Sequence, residues 1–345
     1  MKYNINLISL HINYTDKTIR EMRMTTEQLL AMRTIDGFGD ATVMRLARYA
    51  EHLDANGCET EKDLTGFINI CLGIGMVPRC RRKSVSINEV KWACETARQI
   101  MAESEWLGME VISFQDSRYP KRLLNTIDEN GRRDVPVIIH CKGNIAITDM
   151  PCVAIIGTQH PTPEGVVAGR HLGRLFAENG IAVISGLAVG CDTAGHRGAL
   201  AADKGKTIAV LPNGLDIIFP PSNALLAKEI LDNGGLLISE QPVGVIADKS
   251  RLVTRDRIQT ALSDAVVVIQ TGVGGGTFHA AMSTLKSGKP LFCVKYTDRA
   301  VTFDDNVRGN ELLVRRGGRY LTSIDAFAMV RGCVGCLKHN GGNTL

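Results

Sequence analysis

No apolar run in this 345-residue chain reaches the roughly 18 residues that a membrane-spanning helix needs. Asn4, Asn6 and Asp16 make the first twenty residues too polar for a secretory leader. These absences predict a cytoplasmic protein with no membrane partner. A disulfide framework is also missing: the 10 cysteines are scattered, several of them inside apolar segments such as 70–72 and 292–294, as buried reduced thiols are. Cys333 and Cys336 with His339 have metal-like spacing, but no second C-x-x-C pair supplies the remaining ligands, so no metal is predicted. Nor does either charge dominate. Lys and Arg total 40 against 36 Asp and Glu, and the resulting +4 is compatible with a polyanionic partner but diagnostic of none.

What is present is length and periodicity. At 345 residues, with 44% hydrophobic and 22% charged positions, two globular domains are expected. The pattern divides the chain into a helical domain at 1–108, an α/β domain at 109–330 and a flexible tail at 331–345. In the first domain, 26–49 carries apolar residues at helical spacing, broken by Ile35-Asp36-Gly37-Phe38-Gly39-Asp40-Ala41. This h-x-G-h-G-x-A turn resembles a helix-hairpin-helix motif. Gly37 and Gly39 allow a tight turn that presents backbone N–H groups where a DNA phosphate can sit; a hairpin that only packs is the alternative. Arg79, Arg81, Arg82 and Lys83 form a basic run that reads as a solvated face. A further helix is predicted over 86–105.

Short strands are expected at 111–114 and 137–140, bridging to the second domain. From Cys152 onward, apolar runs at 153–156, 182–184, 207–211, 236–238, 265–269 and 290–294 alternate with helical segments. Strands buried on both faces with helices between them predict a doubly wound, mostly parallel, Rossmann-like sheet. Ligands of such sheets bind beyond the carboxyl ends of the strands. Three glycine-bearing turns fall there: Gly157-Thr158-Gln159; Ser185-Gly186-Leu187-Ala188 with Gly190; and Gly274-Gly275-Gly276-Thr277. Their N–H groups suit a phosphate or a phosphodiester backbone.

The common phosphate signatures are absent from these turns. Gly272 and Gly274 lead to Thr277 instead of the third glycine of G-x-G-x-x-G, and the first core strand offers only Gly157. Gly205-Lys206-Thr207 precedes a strand, and the leading glycine of a Walker loop falls at Leu200. Ser185 lacks the G-x-S-x-G frame of a nucleophile and reads as a turn cap. No cofactor is predicted. Asp192 and His196 stand four apart at a helix start, consistent either with a carboxylate orienting an imidazole or with a capping Asp and a packed histidine.

The run Ser185-Gly186-Leu187-Ala188-x-Gly190-x-Asp192-x-x-x-His196-Arg197-Gly198-Ala199-Leu200 is followed by Gly214-Leu215-Asp216-x-x-Phe219-Pro220. Then come Ser239-Glu240-x-Pro242, Arg255-x-Arg257-Ile258 and Gly309-Asn310. Over about 170 residues in this order, the chain resembles the DprA/Smf family of DNA-processing proteins. The resemblance implies a single-stranded DNA-binding, non-enzymatic recombination mediator that acts as a homodimer and helps load the RecA recombinase during DNA uptake and recombination.

Several positions depart from the family pattern. Gln159 replaces an arginine that contacts the DNA backbone, Pro221 replaces a basic residue, Arg255-Asp256-Arg257 replaces R-N-R, and the S-G-[ST]-x-x-T-A loop reads Gly274 to Ala280. Lys249, Arg251, Arg255 and Arg257 are the expected compensating phosphate contacts. The winged-helix domain that some members carry is not expected after this core. Aromatics are few, at 5%, with Phe219, Phe278 and Phe292 in the core, so backbone recognition with little sequence preference is expected. The alternative is a nucleotide-binding sensor, or a divergent hydrolase, of the related LOG type. There the G-G-x-G-T turn is followed by a catalytic glutamate, and Ala280 stands at that position here.

Overall fold

A computed structural model describes residues 24–52, 58–77, 80–322, 326–328 and 330–332. The Cys333, Cys336 and His339 group and Arg79 lie outside the described residues. The chain opens with helices α1 (Thr26–Thr34), α2 (Asp40–His52), α3 (Glu61–Gly73) and α4 (Ile87–Trp106). Three of the four start on reciprocal caps. Thr25 with Gln28, Thr60 with Asp63 and Ser86 with Glu89 each satisfy two free N–H groups, which sets the helix starts from sequence alone. Leu29, Leu46, Ile68, Val90 and Ala93 form the core of this region and share it with Val135 and Val137, just before the strand Ile138–Gly143, and with Ile138 at its start.

The sheet has nine strands: β1 (Glu110–Ser113), β2 (Ile138–Gly143), β3 (Cys152–Ile156), β4 (Ala182–Ser185), β5 (Thr207–Val210), β6 (Leu236–Ser239), β7 (Ala265–Val268), β8 (Leu291–Val294) and β9 (Arg319–Leu321). Their order is β1-β2-β6-β5-β4-β3-β7-β8-β9, parallel from β6 to β9, with β2 antiparallel to both β1 and β6. The two bridging strands are therefore part of the sheet and extend its edge. The β9 strand has no counterpart in the sequence reading, because Arg319-Tyr320-Leu321 is too short and polar to register as an apolar run.

Alternation along the central strands explains why their sequences read as unbroken apolar runs. Cys152, Ala154 and Ile156 of β3 face one core with Val266 and Val268 of β7, while Val153 and Ile155 face the other with Ala265 and Val267. Helices α5 (Pro163–Glu178) and α6 (Cys191–Leu200) cover one face. They lie so close that a side chain at Gly198 would strike the backbone of Arg170. The first core also receives α8 (Lys249–Leu262), α9 (Gly276–Lys286) and α11 (Arg308–Arg315) through Ile258, Phe278 and Leu313. Helices α7 (Ala224–Asp232) and α10 (Arg299–Thr302) complete the set. No helix among the described residues is long and apolar enough to cross a membrane.

Candidate nucleic-acid interface

β3 is the first strand of the parallel set, and its neighbours run away in opposite directions, β4 on one side and β7 on the other. This reversal is the topological switch point, where an open α/β sheet leaves a crevice past its strand ends. A cleft of about 520 Å³ lies there, bounded by the turn after β3 (Gly157, Thr158, Gln159, His160), the turn after β7 (Gly272 to Thr277) and α8. Two of the predicted glycine turns thus meet across it. The hydroxyl of Thr277 donates to the carbonyl of Gly157 at 3.0 Å and joins them.

The turn between β4 and α6 behaves differently. Leu187 is fully buried at φ 60°, and Gly190 takes φ 82° where a Cβ would approach the carbonyl oxygen of Thr158 at 2.5 Å. The N–H groups of Gly186 and Ala188 point inward to Oδ2 of Asp192, at 3.1 and 3.3 Å. Cys191 N–H donates to Thr158 O. The anion that this turn accommodates is its own carboxylate. Burial pushes the Asp192 pKa up, against the opposing pull of Arg255 and of those N–H bonds. Ser185 caps across the sheet, its hydroxyl donating to Ile155 O at 2.6 Å.

His196 does not pair with Asp192. Its Nδ1 lies 2.7 Å from Oγ1 of Thr207, whose own proton goes to Val183 O, so the ring proton sits on Nδ1. Nε2 has no partner, and burial, with Arg255 nearby, pulls the pKa down to about 3. A packed, neutral histidine results, and the acid–base reading of the Asp192/His196 pair has no geometry behind it.

Of the four expected cations, three are committed elsewhere. Arg255 is buried, and its Nη1 donates to the carbonyls of Gly186 and Val210, each at 2.6 Å, while its Nε lies 2.9 Å from Asp256. Arg257 holds Glu240 and Asp134, and Arg251 holds Asp248. Arg255 and Arg257 are spent because strand-end carbonyls and carboxylates in a low-dielectric interior need a donor, whereas the Arg251 pair lies at the surface. Lys249, exposed on the first turn of α8, has no ion pair or side-chain hydrogen bond among the described residues and lines the cleft. Asp256 lines it too, with its pKa raised to about 6 chiefly by burial, against the pull of Arg255.

The turn after β7 is open. Gly274 has φ 80°, no heavy atom lies within 4 Å of a Cβ built on Gly274, Gly275 or Gly276, and α9 starts without a side-chain cap. Among the described residues the N–H groups of Gly275, Gly276 and Thr277 make no hydrogen bond. Unpaired N–H groups at a helix start carry partial positive charge and favour an anion. Asn310 anchors this turn from below, accepting from Thr271 N–H and donating to Ile269 O, and buried Gln270, just past the end of β7, accepts from the N–H groups of Thr158 and Thr162 in the turn after β3. The Gly309-Asn310 pair was visible in the sequence as a motif, but its anchoring role was not; Gln270 carried no signal beyond a polar residue ending an apolar run.

In the helical region α1 and α2 do form a hairpin around Gly37, at φ 80°, and Gly39. Its tip is anchored. The side chain of Arg82 lies over Gly37, and Asp40 at the α2 start accepts from Arg33 and from Val137 N–H. Acidic Asp36 and Asp40 flank its glycines, both of which are exposed.

Fold and site define a doubly wound α/β protein with an open helix N-terminus at its switch point. Residues 110–331 match the family model of DNA recombination-mediator protein A, and the chain belongs to that family. It is 30% identical over 303 residues to the DNA processing protein DprA of Streptococcus pneumoniae, covering 88% of this chain and 96% of that one. It is 28% identical to the Smf protein of Synechocystis, covering 76% of this chain but only 63% of that relative's length. The X-ray structure of the pneumococcal DprA shares the fold with a TM-score of 0.71 at 23% identity, over 89% of this chain and 98% of that one. A Helicobacter pylori DprA structure, described for its single-stranded DNA binding mode, aligns with a TM-score of 0.53 at 27% identity over 67% of this chain and 96% of that one.

Proposed function

We propose that this chain is a cytoplasmic, non-enzymatic recombination mediator that binds single-stranded DNA at the β3/β7 cleft. It acts as a homodimer and passes the strand to a RecA-type recombinase. The observation that carries the reading is the uncapped, glycine-led start of α9 facing the turn at 157–160, with Lys249 free beside it. The ligand of the H. pylori relative is of the right chemistry for such a cradle. Backbone donors read phosphate without reading bases, so little sequence preference is expected.

The proposed contacts are Gly157, Thr158 and Gln159 on one side and Gly274, Gly275, Gly276 and Thr277 on the other, with Lys249 at the rim. Ser185, Gly186, Leu187, Ala188, Gly190, Asp192, His196, Arg255 and Arg257 shape the wall behind them. A hydrolase of the LOG type lacks support, because Ala280 offers no carboxylate after the glycine turn. A salt-titrated binding series with single strands, duplexes and mononucleotides tests the reading. Single strands should bind best, with a log–log salt slope of about −0.7 for each lysine engaged, so about −0.7 for Lys249 alone. Tight, salt-insensitive mononucleotide binding without affinity for strands would favour the sensor instead, and release of free base would show an enzyme.

A further inference from the structure

The ionisable side chains that line the cleft are His160, Asp192, Lys249, Arg255 and Asp256. Two cations therefore stand against two carboxylates, and with both carboxylates ionised the charges balance beside a helix start suited to an anion. One of those cations is shared. Arg255 gives Nη1 to the carbonyls of Gly186 and Val210, its Nε lies 2.9 Å from Oδ1 of Asp256, and its charge also acts on Asp192. A single buried guanidinium serves both carboxylates.

The two carboxylates are held differently. Asp192 is enclosed and accepts from the N–H groups of Gly186 and Ala188. Asp256 takes Arg255 and Nε2 of Gln259 on Oδ1, whereas Oδ2 has no hydrogen-bond partner among the described residues and the side chain is 24% exposed. On its other side Asp256 borders a second cavity, of about 620 Å³, between α8 and α9. There Arg257, Lys289 and the shared Lys249 are matched by Asp128, Glu129 and Asp134, and His279 is the remaining ionisable group. Neither side gives Asp256 a cation of its own. Burial, opposed by Arg255 and reinforced by Asp192, already raises its pKa to about 6, so a proton is within reach near neutral pH.

We propose that the Asp192/Asp256 pair takes up one proton from solvent when a phosphate of the strand settles at the start of α9, so that Asp256 couples single-strand affinity to pH. The inference rests on the single-strand reading above and adds to it a residue that opposes the ligand until it is neutralised. With the proton on the pair, the cleft walls carry one net positive charge when the anion arrives. The two carboxylates act as one titrating unit. Because a bound anion raises the pKa of that unit, affinity climbs as pH falls through the interval between the free and bound values and is level below it.

The test is fluorescence anisotropy of an oligothymidylate on the full chain between pH 8 and pH 6 at constant ionic strength. If the bound phosphate raises the pKa by about one unit, the wild type should bind about fivefold more tightly at pH 6 than at pH 8. Asp256→Asn keeps an acceptor for Arg255 and Gln259 but removes the charge; it should bind about tenfold more tightly than wild type at pH 8 and lose the pH dependence. His160→Gln and His279→Gln, which remove the imidazoles lining the two cavities, should keep the wild-type profile. Calorimetry at pH 6.5 in two buffers of different ionisation enthalpy needs no variant to fold: the wild type should take up about half a proton per chain on binding. A flat wild-type profile, no proton uptake, a profile abolished by either histidine variant, or a folded Asp256→Asn that binds no more tightly at pH 8 overturns the proton coupling and leaves the single-strand reading standing. Absence of binding at every pH overturns both.

Discussion

The turns after β4 and after β7 both read as glycine-rich strand-to-helix turns, yet one is closed and the other open. After β4 the inward N–H groups are occupied by Asp192, and Arg255 fills the space that Gly186 leaves. After β7 nothing fills it. Glycine in the first turn makes room for the protein's own side chains; in the second it makes room for something else. The pair shows that a glycine pattern marks close approach to the backbone without saying what approaches.

Five predictions test this contrast. Asp192→Ala should cost the most, about 4 kcal/mol in denaturant unfolding, because it leaves Arg255 less compensated and two N–H groups unpaired. A loss under about 1 kcal/mol would mean that the closed turn is not held by its carboxylate. Gly186→Ala places a methyl on the guanidinium of Arg255 and should cost about 3 kcal/mol, whereas Gly275→Ala, with open space around it, should shift stability by less than about 0.5 kcal/mol. Equal effects would erase the distinction between the turns.

The pH response should follow the buried histidine behind the closed turn. The folded pKa of His196, about 3, lies below the unfolded value near 6.5, so the unfolded chain takes up the proton first. Stability from this group is full above pH 6.5 and is lost as pH falls toward 3, by about 2 kcal/mol at pH 5. Unfolding of wild type and His196→Gln at pH 7.5 and 5 checks it: the variant should lose less on acidification. The smallest effect belongs to the rim. Lys249→Ala should weaken single-strand binding by a few-fold and flatten the salt slope by about 0.7, uniformly across sequences, with stability unchanged. Gly276→Asp, which brings a carboxylate to the open helix start, should weaken binding by about tenfold in the same assay.

Much of the fold was legible in the chain. The parallel core strands are apolar on both faces, so they appear as continuous runs, and α1, α3 and α4 carry capping pairs three residues apart. Residues whose meaning depends on distant partners were not legible. Arg255 and Arg257 look like any basic pair on a helix, and only the approach of Gly186 O, Val210 O, Glu240 and Asp134 from four other segments turns them into scaffold.

By itself, then, the sequence determined the doubly wound architecture, the helical region before it and the three glycine turns at one edge, because local periodicity, capping and backbone freedom are written in neighbouring residues. Only the tertiary structure decided which turn is open and which cations are free. Those outcomes depend on desolvation and on competition for hydrogen bonds, and both are settled only when distant segments meet.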